Sequence, residues 1–289
     1  MNRVFVGLDI GGTKLIVASA DEHGRTIKRE RAATPLPLDK GLALLDEMIA
    51  EVSGGAPIGG IGAAAGGPLN WETGVVSPLH QPEWRDVPLK ALMEEKYQCR
   101  FSVDVDTNVA ALAEHHHCAQ KPAKLLYLTL STGMGGGFIV DGEIYRGMNG
   151  EHPEVGHQSV LYRLATQRTV ACACGSSGCL EALVSGSGIR RLYRKPPEEL
   201  TSSECEEVAW NLGQGLRNLA TIYLPDVIVV GGGVAFGARE TLLMPAIQVM
   251  RDHLKIVPHP KIHASELGEN NVLGGAILMA MRNGAERPS

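Results

Sequence analysis

Residues 3–20 read RVFVGLDIGGTKLIVASA. Val4, Val6, Leu8 and Ile10 alternate with other residues at the period of a β-strand, and Leu15 to Ala18 resume that pattern after the Gly11–Gly12 pair. A dinucleotide-binding fold would start a helix straight after its glycines, in GxGxxG spacing. Here a second strand follows and that spacing is missing, so the segment reads as a hairpin. Its glycine amides stand bare toward an anion, Thr13 and Lys14 add donors, and Asp9 is placed to hold Mg2+ through water. Taken alone, an ordinary tight hairpin turn would look the same. Residues 125–145, LLYLTLSTGMGGGFIVDGEIY, repeat the design: strand, glycine-rich turn with Thr132 and Gly133, strand. Two such hairpins in one chain predict two similar halves serving a shared phosphate site.

A second concentration of chemistry lies in residues 150–181, GEHPEVGHQSVLYRLATQRTVACACGSSGCLE. Cys172, Cys174 and Cys179 fall within eight residues, and His157 lies fifteen positions upstream of Cys172. Three thiolates and an imidazole complete a tetrahedral Zn2+ site, with the Gly175–Gly178 turn letting the chain fold back between ligands. Such a site is closed, so the ion holds a loop in shape and activates no water. His152 is a rival fourth ligand, and a cluster of merely buried cysteines is the plainer alternative. Glu154, His157 and Glu181 ride on the same loop. Carboxylates and an imidazole suit a hydroxyl-rich ligand, because each buried sugar hydroxyl needs a paired donor or acceptor.

Between and after these motifs the chain alternates helical and extended patterns. Residues 41–52 and 89–97 have helical spacing, and 58–65 (IGGIGAAA) is a strand of small residues followed by a turn-rich loop, GGPLNWETG. Phe101, Val103 and Val105 alternate as a strand that ends at Asp106, and a helix follows from Val109. Asp106 therefore sits at a strand-to-helix junction, where it can cap the helix, act as a general base beside the phosphate loops, or do both. His115 to His117 are expected on the exposed end of that helix. Residues 204–224 form an amphipathic helix leading into a buried strand and the Gly231, Gly232, Gly233 turn, where a flat ring or a phosphate can approach the backbone. Residues 271–281 make a final apolar helix, and the last residues, AERPS, are expected to fray.

The totals narrow the function classes. The chain has 289 residues, enough for about two domains, with 44% hydrophobic and 20% charged residues. A net charge of −5 with no basic block disfavours nucleic acid and anionic membranes as partners. No signal-peptide pattern and no apolar run of spanning length are present, which predicts a cytoplasmic protein in which thiols bind metal more often than they pair. Cys99, Cys118 and Cys205 stand apart and read as packing residues.

With these motifs together, the sequence resembles the ROK family of sugar kinases, in the actin/hexokinase-like superfamily, along essentially its whole length. LDIGGTK resembles the first phosphate motif, LSTGMGGG the second and VVGGGV the adenosine motif. DTNVAALAE resembles the segment holding the catalytic aspartate, and HPEVGH with CACGSSGCLE the family's zinc signature. The resemblance implies a two-domain actin-like (ribonuclease H-like) α/β fold with a mixed sheet in each half and a cleft between them. A smaller domain over 1–118, joined by the helix 272–289, would face a larger one over 119–271 that carries the zinc loop 150–181. It implies ATP-dependent phosphorylation of a hexose, most often at O6, by a homodimer. Asp106 would be the base; Asp9, Gly11, Gly12, Thr13, Lys14, Thr132 and Gly133 would hold the phosphates and Mg2+; Gly231, Gly232 and Gly233 would border the adenosine. Gly67, Asp106, Glu154, His157 and Glu181 would bind the sugar, with glucose first and fructose, mannose, N-acetylhexosamines or allose behind it. Val105 stands where glucokinase-like members carry Asn. That departure keeps a second expectation open, a non-catalytic sugar sensor on the same fold. A repressor would need a DNA-binding domain ahead of the first motif, and LDIGGTK begins at Leu8.

Overall fold

The computed structural model describes residues 3–79, 81–165 and 169–285. The chain divides into two compact units, one built from residues up to Ala113 together with those from Asn270 onward, the other from Glu114–Glu269.

The first unit starts with strands β1 (Val4–Ile10) and β2 (Lys14–Ala20), paired antiparallel as the alternation predicts. Strand β3 (Thr26–Ala33) extends this hairpin at the sheet edge. Helix α1 (Leu38–Ser53) then leads into β4 (Ile58–Ala65), which lies parallel to β1. The turn-rich loop that follows contains a small three-stranded sheet of β5 (Leu69–Asn70), β6 (Val75–Val76) and β7 (Val87–Pro88). Helix α2 (Leu89–Tyr97), strand β8 (Phe101–Val105) and helix α3 (Asp106–His117) follow. The main sheet runs β3-β2-β1-β4-β8. One face buries Leu8, Ile10, Leu45, Ile49, Trp84 and Phe101.

The second unit repeats that plan. Strands β9 (Lys124–Leu130), β10 (Met134–Val140) and β11 (Glu143–Ile144) form consecutive antiparallel pairs. Helices α4 (Leu180–Val184), α5 (Gly186–Tyr193) and α6 (Ser202–Tyr223) precede β12 (Val227–Gly231), which lies parallel to β9. Helices α7 (Gly233–Gly237) and α8 (Met244–His253) and strand β13 (Lys261–Ala264) complete a sheet in the order β11-β10-β9-β12-β13. In both sheets an antiparallel hairpin is followed by two parallel strands, so the duplication read from the two glycine hairpins extends to whole sheets. Helix α6 begins two residues before the expected start, because Thr201 and Glu204 form a reciprocal capping box.

Helix α9 (Asn271–Ala285) returns to the first unit and covers the other face of its sheet, burying Leu273 and Ile277 against Ile16, Ala18 and Ala20. The small residues of β4 explain how close it comes. A Cβ on Gly62 would lie 2.1 Å from the carbonyl oxygen of Ala276. The expected fraying of AERPS falls, beyond Ala285, outside the described residues. Cys99 packs on the first unit's core, Cys205 on the second's, and Cys118 is half-buried. His115 corrects the expectation of an exposed histidine run. It is buried, with Nε2 3.0 Å from the Pro122 carbonyl oxygen, while His116 and His117 are exposed. Consecutive helix positions face different ways, and the chain beyond α3 covers the one that turns inward. No described helix is long and apolar enough to cross a membrane.

Candidate active site

In the first unit, strand register collects the predicted residues at one sheet edge. Ile10 is level with Ala65 of β4, and Ala65 with Val105 of β8. The Gly11 turn, the Gly66–Gly67 turn and Asp106 therefore leave three adjacent parallel strands side by side, at the carboxyl ends where open α/β sheets bind ligands. Gly11 N–H donates to the Lys14 carbonyl oxygen at 3.0 Å, closing the hairpin, and Gly12 and Thr13 at its tip are exposed. Thr34 Oγ1 donates to the Gly11 carbonyl oxygen at 2.6 Å and fixes the turn from the side. Asp106 is exposed at the first position of α3, and its Oδ1 accepts from Thr107 N–H at 2.7 Å, a local bond of the capping kind. Asp9 is held up to about 6 by burial; Lys14 and Arg29 pull it down, and the nearby Asp106 carboxylate pushes it further up. A half-buried carboxylate with a second one beside it is a site that gains from a cation. Val105 is buried, its Cγ1 3.6 Å from where a Gly67 Cβ would stand.

In the second unit the corresponding edge is formed by the Ser131–Gly133 turn and by the glycine that ends β12 with the two that follow it, because Gly231 is level with Thr129 of β9. The glycines divide their work. A Cβ on Gly231 would meet the Tyr127 hydroxyl at 2.5 Å. Gly232 has φ +95 and lies so near the Leu130 carbonyl oxygen that a Cβ would be 2.4 Å away, so only glycine fits. Gly233 has open space beside it and lines a cleft of about 270 Å³ together with Ser131, Thr132, Gly186, Arg190 and Glu198. Thr132 and Gly233 thus meet in one cavity. Arg190 and Glu198 were not legible beforehand: they follow no motif spacing, Arg190 reaching the cleft because α5 is fastened to the Ser131–Thr132 turn and Glu198 from the short helical turn Pro197–Glu199 beyond it.

The four residues expected to ligate Zn2+ come together. His157, Cys172, Cys174 and Cys179 present ligand atoms that all lie within 4.8 Å of one another. Cys174 Sγ and Cys179 Sγ are 3.7 Å apart, and Cys172 Sγ is 3.6 Å from His157 Nδ1. Tetrahedral Zn2+ with bonds of ~2.3 Å to sulfur and ~2.05 Å to nitrogen demands separations of about 3.8 and 3.6 Å, so the donor set fits the ion. Burial pushes the Cys179 thiol up to about 12, while the Ser176 backbone amide holds the exposed Cys174 thiol below its usual value. Thiolate charge at the buried member is what a cation would offset. His152 is not part of the cluster; its Nε2 faces Glu154 Oε1 at 3.5 Å. Nε2 of His157 faces the same exposed carboxylate, 3.9 Å from Glu154 Oε2. Glu181, in the first turn of α4, accepts from Met134 N–H through Oε2 at 2.9 Å, which ties the cysteine loop to the second glycine hairpin.

The fold is that of the actin-like ATPases, a mixed α/β sheet repeated with a glycine hairpin at the start of each copy. Within that class the chain belongs to the ROK family, whose model matches residues 5–283. It is 30% identical to a glucokinase of Halalkalibacterium halodurans, over 96% of this chain and 95% of that protein. Among solved structures it is similar to a ROK hexokinase from Thermus thermophilus, with a TM-score of 0.83 and 32% identity over 96% of this chain and 97% of that one. A ROK family glucokinase from Streptomyces griseus, solved in complex with glucose and AMPPNP, gives a TM-score of 0.77 and 27% identity over 96% of this chain and 99% of that one.

Proposed function

We propose that this ROK protein is an enzyme, a sugar kinase that transfers the γ-phosphoryl group of ATP to a hexose hydroxyl. O6 of glucose is the first choice of acceptor, ahead of fructose, mannose, N-acetylhexosamines and allose. The observation that carries the reading is the exposed Asp106 carboxylate at the strand edge beside the first glycine hairpin, close enough to Asp9 to disturb its ionisation. Asp106 takes the proton of the attacking hydroxyl as the new P–O bond forms and the bond from the γ-phosphorus to the β–γ bridging oxygen breaks, leaving ADP. One carboxylate suffices, because phosphoryl transfer needs mainly positioning and charge stabilisation. Gly11, Gly12, Thr13 and Lys14, with Thr132 and Gly133, hold the phosphates; Asp9 would hold Mg2+; Gly233 borders the adenosine. Mg2+ supplies charge neutralisation on the transferring group. Gly67, Glu154, His157 and Glu181 bind sugar hydroxyls. Glu181 offers Oε1, since Oε2 is committed to the Met134 amide. Zn2+ on His157 Nδ1 and the three thiolates would fix the ring so that Nε2 and Glu154 face the sugar together.

The test is a panel of hexoses and amino sugars with Mg-ATP, read as ADP release, beside the Asp106→Asn variant. Sugar-dependent turnover should fall by about 10²–10⁴ in the variant while ATP binding persists. Equal turnover in both proteins would remove Asp106 from the chemistry. A panel silent for every sugar, with ATP still bound, would favour the non-catalytic sensor that Val105 leaves open.

A further inference from the structure

The cleft of the second unit is electrically polarised. Among its described lining residues Arg190 is the single cation and Glu198 the single anion. Neither side chain forms an ion pair or hydrogen bond with another described residue. The Arg190 side chain is exposed, yet its guanidinium lies close to the turn. A point one bond above Gly186 Cα lies 3.4 Å from Arg190 Nη1, 3.0 Å from the Ser131 carbonyl oxygen and 3.6 Å from Val234 Cγ2. Gly186 N–H in turn donates to that carbonyl oxygen at 2.7 Å, and Ser187 N–H donates to the Thr132 carbonyl oxygen at 3.0 Å. The helix carrying Arg190 is therefore fastened to the Ser131–Thr132 turn, and its cation lies over the fastening.

We infer that Arg190 is a phosphate-binding residue of the donor site and that Glu198 sets the direction in which the nucleotide lies. This rests on the reading of the protein as an ATP-dependent kinase. The Ser131–Gly133 turn offers only neutral donors, and a nucleotide tail carrying several negative charges at that turn needs a cation beside it. Arg190 supplies one from the same unit, in fork geometry suited to phosphate oxygens. Glu198 repels the tail, so the phosphates lie at the Arg190 end. The nucleoside lies toward Pro197, Val234 and Ala238, where the Glu198 carboxylate accepts from a ribose hydroxyl. The apolar members of the lining suit the base.

The experiment compares wild type, Arg190→Ala and Arg190→Lys by calorimetric titration with ADP, inorganic tripolyphosphate and adenosine, and by steady-state kinetics. Arg190→Ala should weaken ADP and tripolyphosphate by roughly ten- to a hundredfold, leave adenosine unchanged, and raise KM for ATP without changing KM for sugar. Arg190→Lys should recover part of the loss, since it restores the charge without the fork. The exposed, unpaired side chain can be removed without unfolding the unit, and a thermal melt checks that. Equal loss of adenosine and ADP would overturn the inference and put the guanidinium on the base instead. No change with any of the three would also overturn it. A wild-type protein that turns over sugar with ATP yet shows either pattern sinks only this assignment, whereas wild type that binds neither ADP nor tripolyphosphate sinks the ATP reading itself.

Discussion

At the residue scale, Asp9 shows how a functional position works against stability. Burial and the neighbouring Asp106 carboxylate raise its pKa from 3.8 to about 6. Below about pH 4 the group is protonated in both folded and unfolded chains and costs nothing. As pH climbs toward 6 the unfolded chain releases its proton while the folded one keeps it, so stability falls and stays lower above 6. That displacement costs about 3 kcal/mol at neutral pH. Asp9→Asn is therefore expected to melt at a higher temperature than wild type at pH 8, with the gap narrowed by roughly half at pH 5, and to lose turnover. A gap that is the same at both values would mean that Asp9 ionises normally. The identity of this residue was legible in LDIGGTK, because a carboxylate just before a glycine turn has few structural uses. Its coupling to Asp106 was not, since the two meet only through strand register across β1, β4 and β8.

At the element scale, legibility followed the strength of the periodic signal. The two glycine hairpins and α2 were readable because apolar alternation or helical spacing runs through them. Strand β3 was not, because TIKRERAA alternates charged and small residues and lies half-exposed at the sheet edge. Strands β5, β6 and β7 are two residues each, too short for any period to show. The cysteine loop was readable for a different reason: its ligand spacing is chemistry rather than pattern. It also yields a sharp test, because Cys174 is exposed and its substitution removes a ligand without opening the core. Cys174→Ser, or dialysis against a chelator, should lower bound zinc measured by elemental analysis and raise KM for sugar tenfold or more, by letting His157 and Glu154 turn away. KM for ATP should stay the same, since no donor-site residue lies on that loop. Unchanged sugar affinity in a zinc-free protein would show that the loop keeps its shape unaided.

At the scale of the whole molecule, the chain closes on itself through α9. Leu273, Ile277 and Met279 of this helix are all buried, and at ~1.5–3 kcal/mol for each large apolar side chain their burial stabilises the first unit by roughly 5–9 kcal/mol. That is comparable to the entire stability of a typical domain, 5–15 kcal/mol. The first unit's fold thus depends on residues more than 150 positions beyond its last strand. The contact is made backbone to backbone, so two glycine substitutions of the same size should act in opposite directions. Gly62→Ala puts a methyl group 2.1 Å from the Ala276 carbonyl oxygen, which neither a rotamer change nor a flexible neighbour can relieve. It should destabilise the first unit by 3 kcal/mol or more, roughly the upper range for overpacking. Gly274→Ala, on α9 itself, meets nothing within 4 Å and should stabilise the helix by up to ~1 kcal/mol through propensity alone. Hydrogen exchange resolves the two units separately. Faster exchange in β1 and β4 of Gly62→Ala, with β9 and β12 unchanged, is the expected pattern. Uniform loss across both sheets would mean that the two units unfold as one, and an unchanged β1 and β4 would mean that α9 can lift away from the sheet without cost.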